Sequence, residues 1–248
     1  MKLSEIFDQL QYGELSQLHI GGVEQGGISE ANYPRILPHV NLGLTALYKR
    51  FSLKENALIL SLQPNILQYS LHSRFAVNGK RSKEPVRYII DTTLAPFLDD
   101  IIKVARVYTD DGTELDLNNK ANAWSLHTPF AHSLAIPAVI VEKSTELPAN
   151  LITNNLKVVY RANHPKIEIP IGYFNPDRIE VELPDSHLEP LLLFIASRLH
   201  NPIGMVNEFN AGNNYAAKYE AACQALEIAN LNVDQGSQSD RLRQRGFV

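Results

Sequence analysis

The chain has 248 residues, 44% of them apolar, enough for a substantial core in one large or two modest domains. A net charge of −4 removes any bulk electrostatic pull toward nucleic acid or acidic membranes. The single cysteine, Cys223, excludes an intramolecular disulfide and a cysteine-based zinc site, and no apolar run reaches the ~18 residues of a membrane span.

The N-terminus, Met-Lys-Leu-Ser-Glu-Ile-Phe-Asp, is acidic where a signal peptide would be apolar, so the chain is expected to be made in a cytoplasm or packed into something assembled there. Leu3, Ile6, Phe7 and Leu10 mark one side of a short amphipathic helix over Ser4–Leu10, which Gly13 interrupts. Residues 14–20 read as another short helix or an extended piece. Two glycine pairs, at 21–22 and 26–27, make a connector. Ser29 is the expected N-cap of a longer helix, with Pro34 near its start and Pro38 as a possible kink. Ile36, Leu37, Val40, Leu44, Leu47, Tyr48 and Phe51 give it one apolar stripe.

The character then changes. Ala57–Leu62, Ile66–Leu71, Val104–Tyr108, Thr113–Leu117, Pro137–Glu142, Leu156–Tyr160 and Ile179–Leu183 read as strands. Asp110-Asp111-Gly112 is a hairpin signal, and Gln63-Pro64-Asn65 is a turn. No helical pattern alternates with these strands, so an antiparallel sandwich or small barrel is expected rather than a parallel sheet.

Helical signals return at Ser186-His187-Leu188-Glu189, which fits a capping box, with Pro190 in the first turn. Leu191 to Ala196, with Leu199, is apolar on nearly every side and predicts a well-covered helix. Asn201-Pro202-Ile203-Gly204 stops it. A second helix is expected from about Glu208 to Asn230. Its stripe is Tyr215, Tyr219, Ala222 with Cys223, and Leu226. From Val233 the chain is polar and almost free of core-forming residues, so it is expected to order only on a partner. The reading is therefore α+β. A helical bundle takes residues 1–54 and 184–232, a β-rich insertion takes 55–183, and an extended tail takes 233–248.

Chemistry is harder to find. The histidines His127 and His132 are five residues apart, at neither helical nor strand spacing for a shared metal, and no metal or cofactor is expected. Asp110, Asp111, Glu114 and Asp116 surround Gly112 at the wrong spacing for a calcium loop and read as a solvated hairpin tip. Gly79-Lys80 lacks the rest of a phosphate-binding loop, no nucleophile elbow or zinc-protease motif occurs, and Asp99-Asp100 has no neighbouring base. The sequence offers no catalytic constellation, so an enzyme is not expected. Two basic features remain: the loop with Lys80, Arg81 and Lys83, and the tail with Arg241, Arg243 and Arg245. In the tail the arginines alternate with Leu242 and Gln244, which puts them on one side of an extended strand, and Phe247 and Val248 follow as an apolar anchor.

The run Ile36–Phe51, the helix pair at Leu188–Leu199 and Tyr215–Asn230, and the polar tail ending Arg-Gly-Phe-Val together resemble the head-to-tail connector proteins of tailed bacteriophages. The likeness is closest to the tail-tubular adaptors of short-tailed phages, and it is one of layout over most of the chain. It implies a virion protein that forms a ring, twelvefold in such adaptors, beneath the portal protein and above a tail tube or nozzle protein. Packaged DNA would pass through the ring without specific contact, and no membrane is involved. Arg241, Leu242, Arg243, Arg245, Phe247 and Val248 would form the portal-docking arm. The competing expectation is a carbohydrate- or host-surface-binding virion module, built on the strand-rich middle with Trp124, Tyr173 and Phe174 as contact aromatics.

Overall fold

A computed structural model describes residues 1–16, 28, 32–78, 84–145, 147–169, 174–200 and 206–229. The chain divides into two compact units. One comprises Met1–Leu53 with His164–Val248, and the other is Lys54–Asn163. The second unit closes at Asn163.

In the first unit, α1 spans Leu3–Tyr12 and buries Leu3, Ile6, Phe7 and Leu10, the four residues of its apolar stripe. The Glu5 carboxylate accepts the Lys2 N–H at 3.0 Å, satisfying one of the donors a helix start leaves open. Helix α2 spans Tyr33–Arg50, with Pro34 in its first turn where no N–H is missed. Its buried face is Ile36, Leu37, Val40, Gly43, Leu44, Leu47 and Tyr48, and Phe51 follows fully buried. Phe7 of α1 stacks on Tyr33 of α2 with ring centroids 4.9 Å apart. The expected N-cap Ser29, the glycine connector and residues 17–20 lie outside the described residues.

One strand and one helix cap expected from the sequence are corrected here. Ile179–Leu183 does alternate, with Val181 and Leu183 buried, but it joins no sheet. Instead the first residues of the chain lie along it. The Leu3 N–H donates to the Ile179 carbonyl at 3.0 Å, and the Val181 N–H donates to the Met1 carbonyl at 2.8 Å. The capping box at Ser186 does not form either. A single 3-10 turn over Asp185–His187 comes first, so helix α4 (Leu188–Leu199) starts from His187, and the Ser186 hydroxyl pairs with the His187 ring at 3.0 Å. A short helix α3, in the other unit, precedes it in chain order and is described below.

Helix α4 buries eight of its twelve residues, as its all-round apolar character requires. It packs against α2 on one side and α5 (Val206–Ile228) on another. The first contact is close: a methyl group placed on Gly43 would stand 2.7 Å from Leu191 Cδ1. Small size at that position lets the two helices approach. In the second, Phe194 of α4 meets Tyr219 of α5 edge-on at 5.3 Å.

The second unit is built on a five-stranded antiparallel sheet. Its strands are β1 (Glu55–Ser61), β3 (Ile89–Ile90), β4 (Ile101–Thr109), β5 (Glu114–Leu115) and β7 (Asn155–Ala162), in the order β3-β1-β7-β4-β5. Strands β2 (Gln68–Ser70) and β6 (Ser133–Ala135) form a separate antiparallel pair. The α+β class and the antiparallel pairing expected from the sequence are both present.

Alternation along the strands puts Leu58, Leu60, Val104, Val107, Leu156, Val158 and Tyr160 on the covered face. Tyr69, Tyr88, Phe97 and Leu134 join them in the core. Strand β4 slips register twice against β7, between Ile101 and Lys103 and between Val104 and Arg106. The β4–β5 turn is the Asp-Gly hairpin, with Gly112 at φ +82°, a conformation glycine adopts without cost. Pro137–Glu142 was expected as a strand, but Ala138–Val141 is the one-turn helix α3, which drops Ile140 and Val141 into the core.

Candidate assembly surface

The portal-docking residues expected from the sequence, Arg241, Leu242, Arg243, Arg245, Phe247 and Val248, lie outside the described residues, as do Lys80, Arg81, Lys83 and Tyr173. Trp124 is half-buried and packs against the core of the sheet unit. Phe174 tilts against Tyr33 with centroids 5.5 Å apart.

Among the described residues no three histidine, cysteine or acidic side chains are arranged to hold a metal ion. His132 lies beside His72, ring to ring at 5.4 Å, rather than beside His127. Asp99 stands 3.8 Å from His72 and accepts both the N–H and the hydroxyl of Ser73 at 2.5 Å. With its oxygens on Ser73, Asp99 serves to hold the start of a 3-10 turn over Ser73–Phe75, a structural use of a carboxylate.

The acidic hairpin tip is not simply solvated. Asp110 accepts the Thr153 hydroxyl at 3.0 Å and the N–H groups of Asn154 and Asn155 at 3.3 and 3.2 Å, tying the hairpin to the start of β7. Asp116 accepts the side-chain amides of Asn122 and Asn119 at 2.8 and 3.0 Å, and these bonds hold its carboxyl below the usual range. The partners of Asp110 lie more than forty residues along the chain, beyond the reach of local spacing, whereas those of Asp116 are only three and six residues away.

The buried histidines of the helical unit also have structural work. His164 accepts the Glu182 N–H on Nε2 at 3.1 Å, leaving Nδ1 to donate to the Pro165 carbonyl at 2.6 Å, so its ring is neutral. The Tyr48 hydroxyl donates to the Glu182 carbonyl. His200 Nε2 and the Tyr215 hydroxyl both donate to the Glu14 carbonyl, at 3.0 and 3.2 Å. That one oxygen joins the segment after α1 to the end of α4 and to α5.

Helix α5 is therefore fixed along one side. Tyr215, Tyr219, Cys223 and Leu226 face the unit, matching the stripe read from the sequence, and Cys223 is fully buried. Burial is the main reason its thiol is harder to ionise than a free one. Arg50, at the end of α2, forks between Glu220 and Glu227 at 2.7 Å each and aligns the outer half of α5. The opposite side of α5 is Ala217, Ala221, Gln224, Ala225 and Ile228, all exposed, with Ile228 at 87%. These positions recur at four- and three-residue steps, so they line one face. Short side chains there allow another helix to come close. Among the described residues, no helix is long and apolar enough to cross a membrane.

Neither models of known protein families nor curated protein sequences match this chain.

Proposed function

We propose that the chain is a structural adaptor of a tailed-phage head–tail junction, a virion protein whose copies pack side by side in a ring between portal and tail. The observation that carries this reading is the outer face of α5. A helix held rigidly on one side presents a row of alanines ending in an 87% exposed isoleucine. Such a face suits the head-to-tail helix contact that closes a ring by rotation. The layout supports it too, because both chain ends build the helical unit and the sheet unit is inserted between them. The mild net acidity suits a channel that must pass DNA without gripping it.

In this reading the ring is twelvefold, the tail side meets a tube or nozzle protein, and the chain acts by binding and not by catalysis. The segment Arg241–Val248 docks on the portal. The test is light scattering after size-exclusion chromatography, on the chain alone and mixed with portal rings, followed by negative-stain imaging. A stoichiometric ring on the portal is expected. Deleting Asp234–Val248 should leave the circular dichroism spectrum unchanged and abolish stable attachment. Ala221→Arg should block ring closure without unfolding the monomer. A strict monomer with no affinity for portal rings would overturn the reading.

A further inference from the structure

The five-stranded sheet has a second face, and it is exposed. Strand register places Ile90, Ile59, Lys157 and Tyr108 directly opposite one another across β3, β1, β7 and β4. Neighbouring strands are ~4.8 Å apart, so these side chains form one continuous row on one side of the sheet. Ile90, on the edge strand, and Ile59, beside it within the sheet, are 43% and 45% exposed, large values for isoleucines.

The charges on this face are not balanced among themselves. Arg106 is held by Glu55 at 2.8 Å. The side-chain ammonium groups of Lys157 and Lys103 make no hydrogen bond or ion pair among the described residues, and both residues are exposed. Glu114 closes the same row on β5, directly opposite Tyr108, which separates it from Lys157 in the register. Beside Lys157 opens a cavity of about 450 Å³, lined by Ile59, Tyr108, Thr109, Asp110, Gly112 and Lys157. That volume lies in the range that accepts a small ligand or a large side chain. Its one carboxylate, Asp110, is already taken up by the backbone and side chains at 153–155. The cavity thus offers Ile59 and Tyr108 as apolar surface and a cation whose ammonium has no partner among the described residues.

We propose that this face binds an extended acidic segment of a partner protein, with a carboxylate on Lys157 and a flanking apolar side chain in the cavity. The charge dictates the acid: an ammonium between two apolar neighbours is best satisfied by a single carboxylate, which forms a charge-assisted hydrogen bond. The row dictates the flanks. In an extended segment, residues two apart lie ~7 Å from each other on one side, which lets the neighbours of the carboxylate settle over Ile59 and Tyr108. Nucleic acid is the poorer fit. Two lysines with no ion pair among the described residues release few counterions, and the two isoleucines of the row offer phosphates nothing. The inference is independent of ring formation, since it uses the sheet unit alone.

The test uses the full chain and a fluorescein-labelled peptide that repeats leucine, serine, aspartate, serine, followed by fluorescence anisotropy. Saturable binding is expected, weakened about tenfold by Lys157→Glu. Ile59→Asp should weaken it similarly, while Lys120→Glu, in an exposed loop away from the row, should leave it unchanged. Circular dichroism checks that each variant is folded. Three outcomes overturn the proposal: no saturable binding, equal binding of the same peptide with asparagine for aspartate, or equal losses from Lys157→Glu and Lys120→Glu. Lys157-dependent binding of labelled oligothymidylate in preference to the peptide would also overturn it and mark a nucleic-acid face.

Discussion

Arg50 Nε lies 2.7 Å from a carboxylate oxygen of Glu227, joining the last turn of α2 to the far end of α5. Its Nη1 reaches Glu220 at the same distance, so one guanidinium spans two turns of the partner helix. Hydrogen bonding to Arg50 is the main reason both glutamates sit below the usual carboxylate range. Both are well exposed, so salt screens the cluster. Arg50→Met should lower the melting temperature in dilute buffer, and the gap from wild type should close toward ~1 M NaCl. The pH dependence has a definite sign. The unfolded chain binds protons at the ordinary value of 4.5 and the folded chain below it, so this contribution is present above pH 4.5 and is lost as pH falls through the folded values. Thermal melts across salt and pH check both statements.

Gly43 gives a second, differently signed expectation. A Cβ there would meet Leu191 Cδ1 at 2.7 Å and Phe194 Cδ1 at 3.1 Å. The leucine methyl can rotate away, and alanine favours a helix interior by about 1 kcal/mol over glycine. Gly43→Ala should therefore change stability by less than about 1 kcal/mol. Gly43→Leu must separate α2 from α4 and should cost about 2–3 kcal/mol, the usual penalty of overpacking. Urea denaturation of the two variants distinguishes these outcomes.

His187 is 1% exposed, edge-on to Phe51 at 4.7 Å, with Nε2 lacking a hydrogen-bond partner. Burial lowers its pKa from the ordinary 6.5. Between the two values the unfolded chain holds the extra proton, so stability is full above pH 6.5 and declines as pH falls through the folded value. The slope from this group is at most about 1.4 kcal/mol per pH unit. His187→Leu removes the titration and the unsatisfied nitrogen together. It should flatten the acid limb of the stability curve below pH 6.5 and leave stability at pH 8 nearly unchanged. Chemical denaturation at stepped pH reads this directly.

Asp110 and Asp111 are adjacent, yet only Asp110 reaches the residues that open β7. Asp110→Ala should destabilise the chain by about 1 kcal/mol, the net value of such hydrogen bonds near the surface. Asp111→Ala should be neutral. Equal effects in urea denaturation would show that the hairpin tip depends on charge alone.

The helices were legible because their signal is local. In α1 and α2 the residues that repeat at helical spacing are the ones buried, from Leu3 to Leu10 and Ile36 to Phe51, and in α5 the stripe from Tyr215 to Leu226 is its least exposed side, with Cys223 fully buried. The errors fell where a local preference met a distant partner. Val139-Ile140-Val141 has the branching of a strand, but Pro137 precedes it and the core takes Ile140 and Val141 from a single helical turn. Ile179–Leu183 has the right period for extended backbone, but nothing in its sequence says that it will lie beside Met1–Leu3. The exposed row on the sheet escaped for a related reason. Ile59, Lys157 and Tyr108 are about fifty residues apart in the chain, and only the strand order makes them neighbours.

The first and last residues of the sheet unit lie side by side. Glu55 and Arg161 are register partners at the ends of β1 and β7, and the Ala162 N–H donates to the Lys54 carbonyl at 2.9 Å. For the chain that builds the helices, more than a hundred intervening residues are thus closed off by one pair of antiparallel strands. The entropy of bridging that gap is set by the pairing at its mouth and hardly at all by what is inserted beyond it. Such a join tolerates exchange: the inserted module can be enlarged, trimmed or replaced over evolution while the helices that flank it go on folding as before.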